Sequence, residues 1–189
     1  MPQLTEVRWH GRGGQGAKTA GYVLAVAAAE EGWNIQAFPE YGAERRGAPM
    51  RSYVRMSDGP IRLRSGVRSP NIVLVLDDSL LATENVTDGM TLEGVLIVNS
   101  DKDVETVRKL IGNAEVKLFV VNATQIAMDT IGRPIPNTPM LGALARATGL
   151  VSLDAMKRAV DRRLGGKLSP AALEANYAAI QGAYEEVKS

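Results

Sequence analysis

The sequence contains no cysteine. That excludes disulfide cross-links and any cysteine-ligated iron–sulfur cluster held within this chain. It has a single histidine, His10, so a histidine-rich zinc site or a Ser-His-Asp triad has little to be built from. Charge bias is missing too: 22 Lys and Arg stand against 21 Asp and Glu, a formal net charge of +1. Bulk charge therefore gives no pull toward nucleic acid or an anionic membrane, and any anion site must be local. No apolar run approaches the roughly 20 residues needed to cross a bilayer. The opening Met1-Pro2-Gln3-Leu4-Thr5-Glu6 lacks the basic and apolar regions of a signal peptide. The expectation is a cytoplasmic chain with neither nucleic acid nor membrane among its partners.

What is present is ordinary in bulk and unusual in two short stretches. A chain of 189 residues can bury about 70% of its unfolded surface. It is expected to form one domain, 1–189, without repeats or a long linker. The first unusual stretch is Val7-Arg8-Trp9-His10-Gly11-Arg12-Gly13-Gly14-Gln15-Gly16-Ala17-Lys18-Thr19. The second is Pro39-Glu40-Tyr41-Gly42-Ala43-Glu44-Arg45-Arg46-Gly47-Ala48-Pro49.

Alternation over Leu4 to His10 predicts a strand, and the apolar spacing from Ala17 to Glu31 a mostly buried helix with Gly32 as its C′ residue. Trp33 to Phe38 reads as a second strand. Together these make a β-α-β unit, of a length suited to a right-handed crossover to a parallel strand. Arg51 to Met56 alternates again, and Ile61-Arg62-Leu63 is expected to pair back on it through the Ser57-to-Pro60 turn. Antiparallel strands inside a parallel pattern suggest a mixed sheet. Asn71 to Asp78 is a continuous apolar run ending in acids, the mark of a central parallel strand. A short helix over Ser79 to Thr83 and strands around Val95–Val98 and Val116–Val121 follow, with helices from Val104 and Thr124. Past a Gly132-to-Pro139 loop, helices are predicted over Met140–Thr148, Leu153–Leu164 and Pro170–Val187. Ser169-Pro170 makes a good N-cap and N1 pair, whereas Ser152 has little capping support. The last twenty residues are the least tied down and could dock on a partner. The fold class is α/β, a layered domain with a mixed, mainly parallel sheet, a Rossmann-like N-terminal β-α-β unit and a helical C-terminus.

Gly11, Gly13 and Gly16 match G-x-G-x-x-G in the strand-to-helix setting that the motif needs. Glycine permits positive φ and lets backbone N–H groups approach a phosphate, and the helix terminus adds partial positive charge. Gly14, Arg12 and Lys18 strengthen that reading over a plain tight turn. A residue separates Gly16 from Lys18, so this is not a Walker A loop. Arg45, Arg46 and Arg51 follow the second strand and suit bidentate phosphate contacts. Glu40 stands where a dehydrogenase places its ribose-binding acid. On these residues alone NADP and coenzyme A both remain open. His10 reads as a packed or capping residue before a catalytic one. Asp77 and Asp78 read as a cap for the Ser79 helix before a catalytic pair.

Three segments in combination are far more specific. His10 to Lys18, Phe38 to Arg51 and Ile61 to Ser65 resemble the gamma subunit of pyruvate:ferredoxin oxidoreductase, closely over residues 5 to 80. The likeness continues more loosely through Asn122-Ala123-Thr124 and Asn137-Thr138-Pro139-Met140-Leu141-Gly142. The resemblance implies a non-catalytic subunit of a multi-subunit pyruvate synthase, which makes acetyl-CoA and CO2 from pyruvate and reduces ferredoxin. It implies coenzyme A as the substrate held by this chain. Thiamine diphosphate, magnesium and iron–sulfur clusters would sit on alpha, beta and delta-type partner subunits. Ferredoxin is reached through the complex, and a homodimer is left open for the isolated chain. The implied coenzyme A site comprises Gly11, Arg12, Gly13, Gly14, Gln15, Gly16, Lys18, Glu40, Tyr41, Gly42, Arg45 and Gly47. Arg46 stands where threonine is more usual. A gamma subunit for 2-oxoglutarate, a branched-chain 2-oxoacid or indolepyruvate, and a free NADP-binding protein, are the alternatives.

Overall fold

The computed structural model describes residues 3–40, 47–112 and 114–189. Its centre is a six-stranded sheet in the order β2-β3-β1-β4-β5-β6. β1 (Leu4–Arg12) turns Val7 and Trp9 to one face and Arg8 and His10 to the other. The strand runs further than its alternation suggested, so Gly11 and Arg12 belong to it. β4 (Ile72–Val75), β5 (Val95–Asn99) and β6 (Lys117–Val121) are short apolar strands parallel to β1, covered on both faces.

α1 (Ala17–Glu30) carries the chain from β1 to β2 (Asn34–Glu40). β2 runs in the same direction as β1 but is not its neighbour. β3 (Pro49–Ser57) lies between them, antiparallel to both, over the whole register from Leu4↔Ser57 to Arg12↔Pro49. The expected crossover therefore spans an inserted strand, and Glu40 closes β2 opposite Arg51. The expected return of Ile61–Leu63 onto β3 does not form: both edges of β3 are already filled. The segment after β3 is instead strapped by Arg55, which is 1% exposed. Its Nη2 donates to the Ser65 carbonyl (2.7 Å) and the Gly66 carbonyl (3.2 Å). Its Nε is 2.8 Å from Glu6 and its Nη1 3.0 Å from Gln36 Oε1.

α1 lies close on the sheet because its inner face is small. At Gly21 an added Cβ would already stand 3.0 Å from Ser52 Oγ. α3 (Ala123–Ile131), α4 (Asn137–Thr148), α5 (Leu153–Leu164) and α6 (Pro170–Glu186) join α1 on that side over a core of Val7, Trp9, Val54, Met56, Leu74 and Ile97. On the other side α2 (Val104–Leu110), with Leu80 from a 3-10 turn over Asp78–Ala82, covers Val73, Val75, Leu96 and Val98.

Local signals decide several ends. Ser169 caps α6 and Pro170 opens it, as the sequence predicts. Gly32 takes φ 90 after α1. Ser152, credited with little, does cap α5, and its own amide and hydroxyl are fixed by Glu31 Oε1 (3.0 and 2.5 Å). α4 starts at Asn137, inside the expected loop, because Pro139 in the first turn lacks only an amide that has no partner there anyway. The C-terminus is not loose: α6 packs on α3, α4 and α5, and Lys188 pairs with Val120 at the β6 edge. Among the described residues no helix is long and apolar enough to cross a membrane.

Candidate functional site: the glycine turn at the carboxyl edge of the sheet

β1 and the parallel strands β4 and β5 end on the same edge, where α/β folds bind ligands. The glycine turn lies there between β1 and α1, at the point where the chain leaves β1 toward one side of the sheet and β4 flanks it on the other. Its shape is held by an internal network. Arg12 N donates to Gln15 Oε1 (2.7 Å) and Gln15 N returns to Arg12 O (3.0 Å). Gly13 N donates to Ala48 O (3.0 Å) and Gly47 N to Gly13 O (3.2 Å), which ties the turn to the end of the second unusual stretch. Gly14 and Gly16 take φ 101 and 83, conformations that glycine adopts without penalty.

Asp77, at the carboxyl end of β4, is the keystone. One carboxylate oxygen accepts from Gln15 Nε2 (2.8 Å) and Arg12 Nε (3.1 Å), and the other from the Ser79 amide (3.0 Å). Arg12 also reaches Ser79 Oγ (2.8 Å) and the Gly47 carbonyl (3.2 Å). Burial alone would raise the Asp77 carboxyl; the bonds from Ser79 and Gln15 and the Arg12 guanidinium hold it below its usual value. The capping role expected of Asp77 is therefore present, but its ties to the glycine turn were not visible in the sequence. Asp78 points elsewhere, to Ser100 Oγ (2.7 Å) and Lys102 Nζ (2.5 Å).

This arrangement decides which donors remain. The Gly13 amide is used by the Ala48 carbonyl and the Gln15 amide by that of Arg12. The amides of Gly14, Gly16 and Ala17 have no acceptor among the described residues. α2, α3, α5 and α6 are capped by the side chains of Asp103, Asn122, Ser152 and Ser169. The N-cap residues of α1 and α4, Gly16 and Pro136, contribute no capping side chain. These two helix starts meet: a Cβ on Gly16 would lie 2.5 Å from Asn137 Nδ2. At α4 the Asn137 Oδ1 takes up the Thr138 amide (2.9 Å), so it is the start of α1, with no side-chain acceptor, whose dipole at the glycine turn makes a setting for an anion. Beside it a cavity of about 460 Å³ is lined by three acids, Asp77, Asp78 and Asp101, with Gln15, Ser100 and Thr124 among its neutral polar residues.

His10 and Glu40 lie apart from the turn, on the opposite sheet face from α1. Glu40 accepts from the Tyr53 hydroxyl. Burial first, then that bond, push the Tyr53 phenol up to about 12. Burial, aided by the charges of Arg8 and Arg51, pushes the His10 imidazole down to about 3, which leaves it a poor general base near neutrality. Arg51 is engaged with Glu84 at 2.8 Å. Tyr41, Gly42, Arg45 and Arg46 lie outside the described residues. Among the described residues no group of His, Asp and Glu could hold a metal ion.

The fold and the turn define the class: an α/β chain with a glycine-rich turn at the carboxyl edge of a mixed sheet. The family model described as pyruvate ferredoxin/flavodoxin oxidoreductase matches residues 6–186. The chain is 51% identical over 183 residues to pyruvate synthase subunit PorC of Thermotoga maritima, covering 97% of this chain and 94% of that one. The crystal structure of pyruvate oxidoreductase subunit PORC from Thermotoga maritima superimposes with a TM-score of 0.88 at 46% identity, over 98% of both chains. The 2-oxoglutarate:ferredoxin oxidoreductase of Magnetococcus marinus, with 2-oxoglutarate, coenzyme A and succinyl-CoA bound, shares the fold at a TM-score of 0.78 and 18% identity. There the match covers 97% of this chain and 31% of that one. The chain belongs to the pyruvate ferredoxin/flavodoxin oxidoreductase family. It is a gamma-type subunit of a multi-subunit 2-oxoacid oxidoreductase.

Proposed function

We propose that this subunit holds coenzyme A for the oxidative decarboxylation of pyruvate to acetyl-CoA and CO2, with ferredoxin as electron acceptor. The observation that carries this is the start of α1, free of a side-chain cap, with its left-handed Gly16, facing the crevice at the carboxyl edge of the sheet. A pyrophosphate fits such a site, because amides of Gly14 and Gly16 can bond its oxygens while the dipole of α1 offsets its charge. Gly11 and Gly13 shape the approach, Gln15 and Arg12 hold the turn through Asp77, and Gly47 closes it. Lys18 and Arg45, with Tyr41, Gly42 and Glu40, complete the assigned site. The coenzyme A bound in the oxidoreductase that shares this fold supports the same reading.

Alpha, beta and delta-type subunits and ferredoxin are the assigned partners. Thiamine diphosphate with magnesium supplies the decarboxylation chemistry on those partners, and iron–sulfur clusters carry the electrons. This chain contributes binding and orientation, a positioning effect. The test uses the assembled complex, titrated with coenzyme A, dephospho-coenzyme A and NADP, then assayed with pyruvate and 2-oxoglutarate. Coenzyme A is expected to bind best, with turnover on pyruvate, and Arg45→Ala to raise its KM. A complex that does not bind coenzyme A overturns the proposal, and turnover confined to 2-oxoglutarate overturns the choice of pyruvate.

A further inference from the structure

A second cavity, of about 210 Å³, is lined by His10, Glu40, Pro49, Met50, Arg51, Leu80 and Glu84. Its polar walls are satisfied with one exception. Arg51 is paired with Glu84, and Glu40 accepts from Tyr53. His10 is 1% exposed, lines the cavity, and its Nε2 has no hydrogen-bond partner among the described residues. A buried polar atom without a partner costs free energy unless a bound group supplies one. The volume is several times the roughly 30 Å³ that one water occupies in the liquid.

The lining says what kind of group fits. The Glu84 carboxylate pairs with the guanidinium of Arg51, and Glu40 lies in the field of Arg8, two residues before His10 on the same face of β1, so no uncompensated charge invites an ion. Pro49, Met50 and Leu80 suit methylene groups. A neutral imidazole has one donor nitrogen and one acceptor nitrogen. Whichever Nε2 is, an amide can meet it, with its carbonyl or with its N–H. His10 is two residues from Arg12 along β1, about 7 Å, and Pro49 and Met50 of the cavity wall follow directly on Ala48, whose carbonyl accepts from the Gly13 amide, so the cavity adjoins the glycine turn.

We propose that this cavity seats an uncharged amide of the ligand's thiol arm, the pantetheine arm of coenzyme A, with Nε2 of His10 as its fixed hydrogen-bonding point. The proposal rests on the coenzyme A reading and adds a second anchor to it. Phosphates are held at the start of α1, and the arm is held on the opposite face of the sheet beside β3. His10 is thus packed, as its sequence position suggests, and a binding residue as well.

The test measures the affinity of complexes carrying wild-type, His10→Leu or His10→Gln chains for coenzyme A, pantetheine and adenosine 3′,5′-bisphosphate. Losing one buried hydrogen bond should weaken coenzyme A and pantetheine about tenfold in His10→Leu. His10→Gln, which keeps a polar atom, should recover part of that loss, and the bisphosphate should bind all three equally. If His10→Leu does not assemble, Met50→Trp replaces it, filling the cavity with the same expected loss. Unchanged coenzyme A and pantetheine affinities, with the bisphosphate still bound, overturn this inference and leave the phosphate site standing. A wild-type complex that binds neither coenzyme A nor the bisphosphate overturns the underlying reading instead.

Discussion

Gly16 does two things at once: it holds φ 83 as the N-cap of α1 and leaves room for Asn137. Left-handed backbone costs a residue with a Cβ about 1–2 kcal/mol, and here that Cβ would also meet Asn137 Nδ2 at 2.5 Å. Gly16→Ala should therefore destabilise by about 2–4 kcal/mol. Removing the obstructing side chain should help only the steric part. The double variant Gly16→Ala with Asn137→Ala is expected to recover about 1 kcal/mol relative to the sum of the singles in urea denaturation. Strict additivity would show that the two helix starts do not touch as described. The contact of Asn137 with Gly16 could not be read from the chain, because Asn137 stands between prolines in a segment with no periodicity, and only packing brings the two together. Asp77 is a parallel case. Its place after an apolar strand marked it as a cap, which it is, but its bonds to Gln15 and Arg12 cross 62 and 65 residues.

At the level of elements, α4 and α6 pack with almost nothing between them. A Cβ at Gly142 would stand 1.9 Å from the Ile180 carbonyl oxygen, which is backbone and has no way to turn aside. Gly142→Ala gains up to about 1 kcal/mol of helix propensity. Against that it must push one helix off the other, and overpacking of this kind costs about 1–3 kcal/mol or more. The melting temperature should fall by several degrees; an unchanged or raised value would mean that the helices are further apart. The elements themselves were largely legible, since apolar runs, alternation and the Ser169-Pro170 start depend on near neighbours in the chain. Pairing was less so. β3 and the Ile61–Leu63 segment carry similar local signals, and what separates them is competition: β1 and β2 occupy both edges of β3, so the later segment is held by side chains, Gln36 Nε2 donating to the Leu63 carbonyl and Arg55 to those of Ser65 and Gly66. The glycine turn was legible as a motif, but the Gly13 amide is consumed by the Ala48 carbonyl and the Gln15 amide by that of Arg12, neither of which any spacing rule contains.

For the whole molecule, the ionisable groups buried on one sheet face predict how stability varies with pH. The His10 imidazole is held at about 3, against about 6.5 in an unfolded chain. Between those values the unfolded state takes a proton that the folded state refuses, so stability falls as the pH drops below about 6.5, by up to about 1.4 kcal/mol per unit. Asp77 acts in the same direction: its depressed value contributes stability that is present above the usual carboxyl range and lost as the pH falls through the folded value. Tyr53 limits the other side. Its folded value of about 12 exceeds the unfolded one of about 10, so its contribution is present below about 10 and is lost as the pH rises toward 12. Stability should form a plateau between about pH 6.5 and 10 with a descending limb on each side. His10→Gln separates the causes of the acid limb, since glutamine has no proton to take up. Between pH 6.5 and 4.5 the wild type should lose about 2 kcal/mol more than His10→Gln in urea denaturation at each pH, while the alkaline limb stays where it is. Equal acid slopes in the two proteins would move the effect from His10 to the carboxylates. The same substitution thus reads the burial of the imidazole in the free chain and its hydrogen bond to a ligand in the complex, two consequences of placing the chain's one histidine inside a polar sheet face.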